Sequence, residues 1–193
     1  MRHLSSRIIL LALACCGVSC FSPRETLSIQ YFAVDAPAVV AATDGAPFDL
    51  RLRRITCGDH LRERFVWARA GEYGFDETRR WTQMPIAFVQ RALEGALFDS
   101  GAAQRQEGVG ALTLDVRVEA FERTLDAAGD QARIVLHVAV ANAVGRGKLS
   151  RAYEALEPID GTSGTAIAAA FSRALSDVVA AVTQAVVATN KGS

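Results

Sequence analysis

Cys57 and His60 stand three residues apart, the one place where a thiol and an imidazole come close along the chain. A catalytic thiolate needs an oriented base and an oxyanion site. Neither is marked around this pair, so Cys57 reads as a lone, semi-buried thiol. Ser163 lies in Gly161-Thr162-Ser163-Gly164-Thr165, which lacks the pattern of a nucleophile elbow and reads as a helix start. Gly108-Val109-Gly110 has no following phosphate-loop Lys. His3, His60 and His137 are scattered, which argues against a His-built metal site. The expectation is no enzyme, no cofactor and no metal.

The remaining cysteines suggest a different chemistry. Arg2 and Arg7 precede an uncharged run from Ile8 to Cys20, the charged and apolar parts of a secretory signal. The run is too short to span a bilayer, which takes about 20 apolar residues. Small residues before cysteine point to a bacterial lipoprotein signal, in which the thiol after the cut carries the lipid. Gly17-Val18-Ser19 precede Cys20, with the better apolar length. Leu11-Ala12-Leu13-Ala14 precede Cys15, with a shorter one. Cys16 has Cys15 before it, a poor fit for the peptidase. Cys20 is the preferred lipid attachment site, with Cys15 the alternative. Choosing Cys20 leaves Cys57 as the sole other mature cysteine. Phe21, rather than Asp, follows Cys20, which favours sorting to the outer membrane.

The chain has 193 residues, enough for one domain with a core, and half are hydrophobic. Its 21 basic and 21 acidic side chains balance. Loss of residues 1–19 removes Arg2 and Arg7 and no acid, leaving a net −2. No basic excess points to nucleic acid.

The elements that would hold any site follow from periodicity. Leu27–Val34 reads as a first strand. Phe48, Leu50 and Leu52 alternate with polar residues, and Phe65-Val66-Trp67 opens another strand. Ala70-Gly71-Glu72 turns the chain, since Gly71 tolerates positive φ. Tyr73 and Phe75 then alternate toward a corner containing Arg79, Arg80 and Trp81. Pro85 begins a helix with Ile86, Val89, Leu93 and Leu97 on one face, stopped at Ser100-Gly101. Leu112, Leu114, Val116 and Val118 mark the clearest strand. Ile134, Leu136, Val138 and Val140 mark its return, and Lys148–Leu156 a third. Thr162–Ala188 reads as a long helix with Ile167, Phe171, Leu175, Val178, Val182 and Val186 on one stripe. The fold class expected is α+β: one domain, an antiparallel sheet covered on one face by two main helices.

The strand ending in Tyr73 and Phe75, the Arg80-Trp81…Pro85 corner and the helix after it resemble the auxiliary lipoproteins of ABC-type transport systems. Tyr31-Phe32 near the mature start and the long Ala-rich final helix fit the same family. Leu61, Arg64, Val66 and Trp67 match a further run loosely; Ala68 replaces its final Arg, with Arg69 one place later. The resemblance spans Leu27 to Val187 and implies four segments: a signal peptide over 1–19, a lipidated tether over 20–26, the domain over 27–189 and a tail over 190–193. It implies a binding and docking role in MCE-associated lipid transport, with an MCE-domain protein as direct partner and an ABC permease and ATPase as indirect ones. A homo-oligomer is compatible with it. The expected location is the periplasmic face of the outer membrane. The alternative is an outer-membrane assembly lipoprotein for lipopolysaccharide or protein export machinery. Tyr73, Phe75, Arg80 and Trp81 are the candidate partner-binding residues, Trp81 serving equally well as a plug at the end of the core.

Overall fold

The computed structural model describes residues 27–39, 46–108, 110–126 and 129–191. The signal, the tether, Cys15, Cys20 and residues 192–193 lie outside the described residues. Strands β1 (Gln30–Phe32), β2 (Phe48–Leu52), β3 (Thr56–Cys57), β4 (Arg64–Arg69) and β5 (Glu72–Trp81) lead into helix α1 (Pro85–Glu94). A π-helical turn, Gly95–Asp99, and β6 (Ala103–Arg105) follow. Then come β7 (Leu112–Asp126), β8 (Gly129–Ala141), β9 (Gly147–Pro158) and helix α2 (Gly164–Lys191). The fold is α+β, one domain with two helices packed on one large sheet.

The sheet is organised on β7. One edge of β7 pairs antiparallel with β8 along its length, and β8 with β9. The other edge takes β2, β3 and β4 in succession, all parallel to it. β1 is parallel to β5, and β2 to β6. The sheet is therefore mixed, where hairpin spacing alone predicts antiparallel pairing. Hairpins do give the antiparallel pairs β4–β5, β7–β8 and β8–β9. The parallel pairs join segments distant in sequence, which need a long connection; α1 lies within the one between β4 and β7.

Alternation decides which side chains face the helices. Leu114, Val116 and Val118 stand opposite Val140, Val138 and Leu136, and all six are buried. A register shift between Val118 and Ala120 then inserts one residue. Phe121 thereby continues the core side, opposite Ile134, and Ala120 and Glu122 take the other. All six apolar residues read on the α2 stripe are buried, and α2 packs across β8 and β9. By length and composition this helix could cross a membrane; here its apolar stripe fills the core. On α1, Phe88, Val89 and Leu93 are buried while Ile86 is half-buried.

Three glycines have specific jobs. A Cβ on Gly95 would sit 3.3 Å from Val39 Cγ2, where α1 widens into its π turn. A Cβ on Gly164 would lie 2.1 Å from Phe32 Cζ, so only glycine lets the β1 ring cover the start of α2. The Ser163 hydroxyl caps that helix by accepting from Ala166 N at 3.1 Å. The β4–β5 hairpin turns through Ala70 (φ 49°) and Gly71 (φ 86°). Both central residues have the positive φ of a type I′ turn. Alanine in that region costs about 1 kcal/mol. Ala70→Asn is expected to raise stability by about 0.5–1 kcal/mol, read as a higher urea midpoint at unchanged slope.

Candidate docking face

With both helices on one side, no helix among the described residues covers the other side of the sheet. Its side chains follow from register. Phe75 stands opposite Val66, Val66 opposite Glu122, Glu122 opposite Arg133 and Arg133 opposite Leu156. This row crosses five strands. A second row beside it runs Tyr73, Ala68, Thr124, Gln131 and Pro158. Tyr73, Phe75 and Leu156, three of the exposed large apolar side chains, thus share one face.

Charge is held in the middle of that face. Glu122 is only 2% exposed, and its Oε1 accepts from Arg133 Nη1 at 2.8 Å. Arg133 Nε also donates to Glu154 Oε1 at 2.6 Å. Burial works against the Arg133 cation, but these two carboxylates overcome it and push its pKa above the ordinary value. The result is an Arg clamped between two acids, flanked by Tyr73 and Leu156 around a concavity of about 320 Å³. At the other end Arg64 lies over the Phe75 ring at 5.8 Å, and the His60 ring meets Tyr73 edge-on at 6.2 Å. Aromatic and Arg side chains around a concave, partly apolar surface suit protein docking rather than bond-making chemistry.

The Arg79-Arg80-Trp81 corner has a different construction from its surface reading. Between Phe75 and Arg80 the β5 strand bulges away from β4. Asp76 organises the bulge. Its Oδ1 accepts from Thr78 N at 2.9 Å, Thr78 Oγ1 at 3.0 Å and Arg79 N at 2.9 Å, and its Oδ2 from Arg79 Nη1 at 3.2 Å. Arg79 Nη2 carries the link on to Thr162 O at 2.9 Å. The Arg80 guanidinium curls back on the carbonyls of Asp76, Glu77 and Arg79. Trp81 is 1% exposed and stacks on Phe65 at 3.7 Å, with Phe88, Phe121 and Phe171 edge-on around it. Of the four candidate contacts, Tyr73 and Phe75 reach solvent, Arg80 braces the bulge, and Trp81 lies in the core behind them.

Burial would raise the Asp76 carboxyl pKa, but the hydrogen bonds from Thr78 and Arg79 outweigh it and hold the group below its ordinary value. A carboxyl depressed on folding stabilises the fold above its unfolded pKa, about 4, and that contribution fades as pH falls through the folded value. Asp76→Asn is therefore expected to cost about 1–2 kcal/mol at neutral pH. The difference from wild type should shrink progressively below about pH 4, as read from urea midpoints of both proteins across the acid range.

The residues that suggested chemistry are spread apart. The Cys57 thiol donates to Leu61 O at 3.7 Å, and burial leads the causes that push its pKa up, the wrong direction for a nucleophile. His60 rests over Gly58 and against Tyr73. The His137 Nε2 lies 3.4 Å from Ser150 Oγ. Among the described residues no three His, Cys, Asp or Glu side chains converge as metal ligands would. Glu122, Arg133, Glu154 and Leu156 escaped the reading of the sequence. Their one signal is Glu122, a charged residue where unbroken alternation from Leu112 calls for a core side chain.

The family model of the ABC-type transport auxiliary lipoprotein component matches residues 32–183. The chain belongs to this family. The match runs from Phe32 in β1 through most of α2 and takes in the strands of the open face. Solved structures share the fold. A protein from Xanthomonas campestris superposes with a TM-score of 0.75 at 21% identity, over 84% of this chain and 98% of that one. An uncharacterized protein gives 0.63 at 12% identity, over 82% and 99%. A hypothetical protein from Chlamydia trachomatis gives 0.55 at 6%, over 76% and 99%. No curated protein sequence matches the chain. The auxiliary lipoproteins serve ABC-type transport systems as accessory components, and the expected resemblance holds at that level.

Proposed function

We propose that the chain is the docking lipoprotein of an MCE-associated, ABC-type lipid transport system. It is held by lipid on Cys20 at the periplasmic face of the outer membrane. It binds an MCE-domain protein directly, and through that protein works with the permease and ATPase. The observation that carries this reading is the open face of the sheet. A family whose members assist a transporter needs a surface to bind it with, and Tyr73, Phe75 and Leu156 stand exposed beside the part-buried Glu122–Arg133 pair. Arg80 and Trp81 contribute by fixing the bulge and core under Phe75.

Crosslinked co-purification from the native envelope tests the reading, with capture of an MCE-domain protein expected. Tyr73→Ala with Phe75→Ala, both at exposed positions, should keep the fold and lose that capture. A wild-type sample that brings down no MCE-domain protein from detergent-solubilised envelope would overturn it. Recovery of lipopolysaccharide or protein export components in its place would favour the assembly-lipoprotein alternative.

A further inference from the structure

We infer that the β1 edge of the domain rests in the headgroup layer of the membrane that carries the anchor. The inference builds on lipid attachment at Cys20. Leu27, Ile29 and Tyr31 are alternate residues leading into and through β1, and they are 62%, 48% and 64% exposed. No other run of the described chain exposes three large apolar side chains so closely. Among the described residues, β1 pairs on one side only, with β5. Tyr31 stands opposite Arg80, and Arg80 opposite Arg64. Arg64 lies over the Phe75 ring and has no carboxylate partner among the described residues. Two aliphatic side chains, a tyrosine and a free guanidinium make a surface suited to the interfacial layer. The tyrosine ring sits at headgroup level and the arginine reaches lipid phosphate.

The tether selects the membrane as occupant. Residues 20–26 can extend at most about 25 Å, so Leu27 cannot stray farther than that from a lipidated Cys20. α2 begins at Gly164, under the Phe32 ring, and its 28 residues carry the fold away, a length of about 42 Å. Val144, 84% exposed, lies with Asn142 and Asn190 near the far end of that helix. The apolar side chains closest to the tether are thus the ones the bilayer receives. Tyr73 stands at the opposite end of β5 from the Tyr31 partner Arg80, so the docking face remains open to protein while its β1 side touches lipid.

Photocrosslinking in the native envelope decides the occupant. Tyr31 is replaced by p-benzoylphenylalanine in the full chain, and Val144 likewise in a second sample. Expected are phospholipid-mass adducts at position 31 and none above background at 144. In a Leu27→Ser, Ile29→Ser background the adducts at 31 should fall away while the melting temperature stays unchanged. A discrete protein band from position 31 would overturn the inference: at twice the chain's mass it would assign the edge to a second copy, and at another mass to a protein partner. Equal lipid adducts at both positions, or none at either, would overturn it as well. The intact mass of the same samples reports the N-terminal lipid. A chain with no N-terminal lipid would remove the anchor itself, an outcome read separately from a lipidated chain that fails to label.

Discussion

Trp81→Ala should lower the melting temperature of the chain steeply. Trp81 is the hub of an aromatic cluster: Phe65 stacks on it, Phe121 and Phe171 meet it from the sheet and from α2, and Phe88 from α1. It is also the last residue of β5, so it ties the hairpin to both helices. Replacing a buried tryptophan by alanine costs about 3–5 kcal/mol. Domains of this size have about 5–15 kcal/mol in total, so the loss takes a large share of the stability. Circular dichroism and a thermal melt would read it. A mutant that melts like wild type but fails to capture its partner would show that the indole acts at a surface, against the burial seen here.

Arg133→Met should rank second, at about 3 kcal/mol. The cost comes less from the lost attraction than from the anion left behind. Glu122 is almost fully buried, and its carboxylate would be stranded without its cation. Replacing both, as Glu122→Leu with Arg133→Met, should recover most of that loss, since well-packed apolar groups often match or exceed a buried ion pair. Denaturant titrations of the two single mutants and the double mutant close the cycle. A double mutant as weak as Arg133→Met alone would mean that Arg133 acts through packing rather than by neutralising Glu122. The cycle has a second readout. If the pair supports the docking face, the double mutant should be folded yet weaker in partner capture.

Local pattern accounts for much of this fold. The alternation in β7 and β8 and the stripes on α1 and α2 emerge where periodicity places them, because each element buries one face and the residues record it. Gly71 takes the positive φ its turn demands. What local pattern does not carry is partnership between distant segments. Nothing in Phe48–Leu52 or Arg64–Arg69 says that both will lie parallel to β7. The bulge after Val118 is equally silent, yet it sends Glu122 to the open face and Phe121 to the core. At the Arg79-Arg80-Trp81 corner, residue types typical of interfaces are spent on internal bracing. The clue is Asp76 two residues before Thr78, a side chain placed to gather backbone N–H groups. Tyr73 and Phe75 were legible as a strand, but the face they occupy depends on how β4 pairs with β7.

β7 also sets an order of events. It is made after β2, β3 and β4, yet all three need its edge to pair with. Until Leu112–Asp126 exists, the only strand pair that adjacent residues can close is the β4–β5 hairpin. The cost of closing the long loops falls late, and α2, which covers the sheet, comes last of all. A nascent chain cut at Gly101 has only β1, β4 and β5 to pair among themselves, lacks α2 to cover them, and should remain open to protease. For a lipoprotein, which must pass through a membrane as an unfolded thread before it can work, that delay is useful. The topology itself holds off complete folding until nearly the whole chain is available.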